Sequence, residues 1–113
     1  MTLSKEQCKP CRLGGTPLSP EDTSVLAADI PQWELVGSKI QRSFTFRSFR
    51  EAIDFVNRVA EAAEEQDHHP DIFVDYRTVT LILWTKKVGG LTCNDFILAT
   101  KIDNLAASAN VTL

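Results

Sequence analysis

Residues 48–76 read SFREAIDFVNRVAEAAEEQDHHPDIFVDY, and a change of period inside this stretch decides the fold. Ser48 followed three residues later by Glu51 is a capping box, whose side chains occupy the first free N–H groups of a helix. Phe49, Ala52, Ile53, Val56, Val59, Ala60 and Ala63 then recur at helical spacing, while Glu61, Glu64, Glu65 and Gln66 form a solvated side. Pro70 cannot continue that helix and holds His69 in extended geometry. The run Ile72-Phe73-Val74-Asp75-Tyr76 that follows is rich in strand formers. Helix therefore gives way to strand at His68-His69.

Working outward, Ser19-Pro20-Glu21-Asp22 supplies a cap, a first-turn proline and first-turn acids, predicting a short helix that ends before Pro31. Residues 33–36 and 39–46 are β-rich runs separated by Gly37-Ser38, a dipeptide suited to a tight hairpin. Downstream, residues 78–85 form the partner of 72–76 across a turn at Arg77. Val79, Leu81 and Leu83 alternate there with Thr80, Ile82, Trp84 and Lys86, which puts Lys86 beside Trp84 on one face. Residues 88–91 read as a loop. Thr92 with Asp95 is a second capping box opening a helix through Phe96, Ile97, Ala99, Ile102, Leu105 and Ala106. The order α-β-β-α-β-β-α predicts an α+β fold, a four-stranded antiparallel sheet with three helices packed on one face. Residues 1–18 read as an N-terminal arm, 19–107 as one domain and 108–113 as a tail.

Composition narrows the function. The formal net charge of −3, with no clustered basic stripe, argues against a nucleic-acid groove. No signal peptide and no apolar run long enough to cross a bilayer is present, so the expected location is the cytoplasm, without membrane attachment. Cys8, Cys11 and Cys93 cannot all pair within one chain, and at least two are expected to be free thiols. Cys8-Lys9-Pro10-Cys11 has the spacing of a zinc knuckle or redox pair, but no second such motif follows. It reads as reduced thiols in the arm, and no metal site is expected.

The chemistry centres on the junction. His68 and His69 are the only histidines, and imidazole is the side chain best suited to moving protons near neutral pH. Glu64 precedes His68 by four residues, so a helix reaching that far sets carboxylate and imidazole on one side. The plain alternative is a polar surface turn with an exposed acid.

Glu64-x-x-x-His68-His69-Pro70-x5-Tyr76, followed by Gly90-Leu91-Thr92 and Asp95-Phe96, resembles the pterin-4a-carbinolamine dehydratase family across nearly the whole domain. The Cys8-x-Pro10-Cys11 arm looks like that of some bacterial relatives. The resemblance implies dehydration of a 4a-hydroxytetrahydropterin in recycling the cofactor of aromatic amino acid hydroxylases, without metal or organic cofactor. Two of the family's three catalytic histidines match His68 and His69, and Glu64 and Asp95 fall on positions that orient an imidazole or bind the pterin. The third histidine position holds Lys86, and Ile72 replaces an aromatic that some relatives place beside the pterin. An ammonium, with a reference pKa near 10.4, is a poor proton shuttle at pH 7 unless burial depresses it. Loss of one acid-base group removes roughly 10²- to 10⁴-fold of rate. The resemblance therefore implies either an active dehydratase with a modified site or a non-catalytic relative with a protein client, as in the family's transcription-factor cofactors and Rubisco assembly factors. The Lys86 substitution favours an assembly or chaperone-like role. Homodimers through the sheet, and tetramers through helix packing, are likewise implied.

Overall fold

The computed structural model describes residues 18–107 and the backbone of residues 111–112. The N-terminal Cys8 and Cys11 lie outside the described residues. Eight elements follow in order: α1 (Pro20–Ala27), β1 (Glu34–Val36), β2 (Lys39–Phe46), α2 (Phe49–Gln66), β3 (Asp71–Asp75), β4 (Thr78–Leu83), α3 (Cys93–Ala107) and β5 (Val111–Thr112). The strands form an antiparallel sheet in the order β1-β2-β4-β3, with β5 added beside Thr45 and Phe46 of β2. This is the expected α+β order, extended by one two-residue strand that the sequence pattern does not announce.

Local chemistry accounts for the boundaries. Ser19 Oγ accepts the Asp22 N–H at 3.1 Å, and Ser48 Oγ accepts that of Glu51 at 3.1 Å, so both expected helix starts are built as caps. Gly37 takes φ 60° in the first hairpin and Tyr76 takes φ 56° in the second, the left-handed geometry that lets two residues reverse a strand.

Helices α2 and α3 pack over one face of the sheet. Ile40, Phe44 and Phe46 of β2 and Val79, Leu81 and Leu83 of β4 meet Phe55 and Val59 of α2 and Phe96 and Ile102 of α3 in one buried cluster. The Phe55 ring lies 5.0 Å, centre to centre, from both Phe44 and Phe46. Burying side chains of this size contributes roughly 1.5–3 kcal/mol each. The buried seam of α2 is Ala52, Phe55, Val59, Ala63 and Gln66, whereas Phe49 is 51% exposed and Ala60 is exposed. The apolar stripe read from the sequence merged this seam with the adjoining half-covered row and passed over Phe55, because the stripe is wider than the contact it makes.

A polar cluster interrupts this layer. Arg42, on the helix-facing side of β2, pairs with Asp103 of α3 at 2.7 Å and lies 4.4 Å over the Phe44 ring, and Trp33 Nε1 donates to the same Asp103 oxygen at 2.8 Å. Burial pushes the Asp103 carboxyl above its ordinary range, against the opposing pull of Trp33 and Arg42. Cys93 is disulfide-bonded, its partner lying outside the described residues. That corrects the expectation of at least two free thiols: absence of a secretory context bears on compartment, not on which sulfurs the fold brings close. No helix among the described residues is long and apolar enough to cross a membrane.

Candidate functional site

The end of α2 places the two histidines. Asp67 adopts left-handed geometry (φ 51°, ψ 43°), its N–H bonds Glu64 O at 3.3 Å, and the His68 N–H reaches back to Ala63 O at 3.1 Å. This 6→1 and 5→2 pair is a Schellman closure, so the backbone of His68 is tied to the helix it has just left. Asp tolerates the left-handed region better than most residues because its short polar side chain can hydrogen-bond locally to the backbone.

From this turn the imidazoles diverge. His68 Nε2 meets Asp95 Oδ1 of α3 at 2.5 Å, with side chains 12% and 0% exposed. His69 Nε2 meets Glu64 Oε2 at 2.5 Å, with side chains 56% and 76% exposed. The carboxylate expected to partner His68 by helical spacing therefore partners His69. The left-handed residue ends the helical spacing at Asp67, sending His68 to α3 and leaving the next residue to fold back on Glu64. In each pair a ring N–H donates to a carboxylate through Nε2, so Nδ1 is the ring nitrogen that the carboxylate does not engage.

Asp95 is the centre of a network. Its Oδ2 accepts the Thr85 hydroxyl at 2.8 Å and the Thr92 N–H at 2.9 Å, while Oδ1 accepts from His68. Thr85 Oγ1 and Thr92 Oγ1 stand 2.8 Å apart. Thr85 has one hydroxyl proton and gives it to Asp95, so Thr92 is the donor to Thr85. The expected capping box at α3 is thus half realised: Asp95 returns to the Thr92 N–H, but the Thr92 hydroxyl turns to Thr85. Three donors on a fully buried carboxylate offset the several kcal/mol that its desolvation costs.

Lys86 stands apart from both histidine pairs. Its Nζ donates to Asp71 Oδ1 at 3.2 Å, and Trp84 Nε1 donates to Asp71 Oδ2 at 3.3 Å. Lys86 is 61% exposed on the rim, so the enclosure that proton shuttling by an ammonium would need is not built around it. Desolvation works upward on the Asp71 carboxyl, but hydrogen bonds from Lys86 and Trp84 and the charges of Lys86 and Lys39 outweigh it and hold the group below its ordinary range.

Two participants escaped the sequence reading. Thr85 continues the Val79, Leu81, Leu83 row toward the helices, so a hydroxyl on an otherwise apolar face was the available signal. Asp71 follows Pro70 directly, and nothing in its spacing marks it. Among the described residues no cluster of three or more His, Cys, Asp or Glu side chains is arranged to hold a metal ion.

The fold is thus a small α+β domain whose helix-to-strand corner carries two imidazoles, each held by its own carboxylate. The chain belongs to the pterin 4 alpha carbinolamine dehydratase family, whose model matches residues 16–105. A relative from Rubrobacter xylanophilus that carries the family's name is 48% identical over 91% of this chain and 97% of its own length. Another from Methylococcus capsulatus is 42% identical over 96% of each. Among solved structures, a transcriptional coactivator/pterin dehydratase from Brucella melitensis superposes with a TM-score of 0.77 at 31% identity, over 80% of this chain and 99% of that one. A pterin dehydratase-like Rubisco assembly factor of the alpha-carboxysome shares the fold, with a TM-score of 0.56 at 23% identity over 68% of this chain and 89% of its own.

Proposed function

We propose that the chain binds a 4a-hydroxytetrahydropterin at the His68-His69 corner and dehydrates it through these two imidazoles. The observation that carries this reading is the His68–Asp95–Thr85 network, a proton-transfer group held by a fully buried, fully hydrogen-bonded carboxylate. In the reaction the C4a–O bond breaks, the leaving hydroxyl takes a proton and departs as water, and a ring nitrogen gives up its proton as the new C=N bond forms. The two imidazoles divide these proton transfers through Nδ1, with Asp95 and Glu64 orienting the rings rather than contacting the reacting atoms. Lys86 takes no part in these proton transfers. In this reading no metal or organic cofactor takes part.

A second reading is favoured by Lys86 itself: a non-catalytic family member acting as an assembly factor or chaperone for a protein client, with Rubisco the leading candidate. In both readings two chains pair through the sheet. The free edge of β3 supports this, since Phe73, Val74 and Tyr76 along it are 56%, 40% and 65% exposed. Helix packing would extend the dimer to a tetramer.

The deciding experiment is a dehydratase assay with 4a-hydroxytetrahydropterin beside a three-histidine relative. Turnover above the uncatalysed background but roughly 10²-fold below that control, as the absence of one acid-base group implies, is the expected result. Rates at the uncatalysed background would sink the enzymatic reading and leave the assembly role. Lys86→His then supplies the missing imidazole and is expected to raise turnover by roughly 10²-fold where chemistry limits the rate.

A further inference from the structure

The face of the sheet away from the helices is lined through its middle by hydroxyls, with Ser43 beside Thr80 and Thr45 beside Thr78. At the end nearest the histidines its character changes. Lys39 Nζ lies 4.5 Å from the centre of the Trp84 ring, and Lys86 Nζ lies 6.0 Å from the same centre. Asp71 takes Lys86 on one oxygen and the Trp84 N–H on the other. Lys39 makes no ion pair among the described residues. Two ammonium groups thus face a single carboxylate, on a chain whose net charge is −3. Asp71 therefore fixes the flexible Lys86 stem and the indole without cancelling the local positive charge.

The cluster adjoins the proposed reaction centre by chain connectivity. Asp71, which holds Lys86 and the indole, is two residues from His69, while Thr85, one residue before Lys86, turns the other way to hold the Asp95 that binds His68. Neither ammonium has a role in a proton transfer made by imidazoles. Both suit an anion: paired flexible ammoniums bind a compact multivalent charge well, and a phosphate monoester carries close to two negative charges at pH 7.

We propose that Lys39 and Lys86, aligned by Trp84 and Asp71, form a subsite for a phosphate group carried on the side chain of the pterin. The inference rests on the pterin reading of the histidine corner and adds a substrate class to it, a pterin whose side chain ends in a phosphate ester.

Isothermal titration of the full chain with neopterin and with its monophosphate ester separates the two claims. The monophosphate is expected to bind about tenfold more tightly at low ionic strength, an advantage that fades in 0.5 M NaCl as screening sets in. Lys39→Met and Lys86→Met should each shrink it, and the double variant should remove it while neopterin still binds. Equal affinities in the unaltered chain, or an advantage that survives the double variant, overturn the subsite and leave the pterin reading standing. Failure of both pterins to bind overturns the pterin reading instead. Inorganic phosphate then decides the subsite alone: a shift of the Trp84 indole N–H resonance that Lys39→Met abolishes supports it, and an unmoved resonance overturns it.

Discussion

Two contacts of the same kind, His68 with Asp95 and His69 with Glu64, are drawn at the same 2.5 Å yet differ in nearly everything that sets their energetic weight. The first is closed inside the fold, its carboxylate wholly buried and engaged by three donors. The second stands in water, with both partners more than half exposed. In the first, removing one partner strands a charge where water cannot reach it. In the second, solvent and salt replace whatever is lost, so the net contribution is small. Adjacent histidines therefore sit on a rigid and a compliant support, and the corner combines a fixed imidazole with one free to adjust.

The largest expected effect tests that asymmetry directly. Asp95→Ala leaves His68, Thr85 and the Thr92 N–H without their acceptor and is expected to cost about 3 kcal/mol or more. Glu64→Ala is expected to cost less than about 1 kcal/mol. Urea unfolding of both variants gives the comparison, and similar losses would break it. Lys39 and Lys86 do not enter either network, so the phosphate subsite is unaffected by this outcome.

Thr85→Val comes next. The swap nearly preserves shape, removes the hydroxyl from Asp95 Oδ2 and unpairs the Thr92 hydroxyl, for an expected loss of about 1–2 kcal/mol. Thr85→Ser, which keeps the donor, should recover most of it. A Val variant as stable as the parent would show that His68 and the Thr92 N–H suffice to hold the carboxylate.

A second pair of carboxylates sharpens the contrast through pH. Asp103 is raised by burial, so its stabilising contribution is present at low pH and is lost as pH rises through its folded pKa. Asp71 is held low, so its contribution is present above the ordinary carboxylate range and is lost as pH falls through its folded pKa. The parent's stability advantage over Asp103→Asn should therefore grow on acidification, and its advantage over Asp71→Asn should shrink. Unfolding curves from about pH 6 down to about pH 3 measure both, across the range in which carboxylates titrate. Slopes of the same sign would refute the assignment of one group to the interior and the other to the rim.

What the sequence disclosed follows the range of the forces involved. Ser48 with Glu51, Gly37-Ser38 and the alternation of Val79, Leu81 and Leu83 act over a few residues, and each element appeared where these local signals put it. His68, His69 and Asp95 were legible as motif residues, but their pairing was not. Helical spacing assigned Glu64 to His68, whereas one left-handed residue at Asp67 handed it to His69. The Arg42–Asp103 pair, 61 residues apart in sequence, and the Thr85–Asp95 contact depend on how α3 lies across the sheet, which no local period encodes.

That left-handed residue carries the smallest and most discriminating test. Asp67 pays a conformational cost at φ 51° that glycine would not, and glycine is the preferred residue at this position of a Schellman closure. Asp67→Gly is expected to stabilise the fold by about 0.5 kcal/mol, the relief of strain being partly offset by greater freedom in the unfolded chain. Because the hydrogen bonds of the closure are made by backbone groups, the turn and the contacts of both histidines should persist in the variant. Unchanged His68 and His69 ring resonances beside a slightly raised denaturation midpoint would place control of the corner in the backbone. A moved His68 resonance would show instead that the Asp67 side chain helps aim the rigid imidazole, and the division between fixed and compliant supports would have to be drawn one residue earlier.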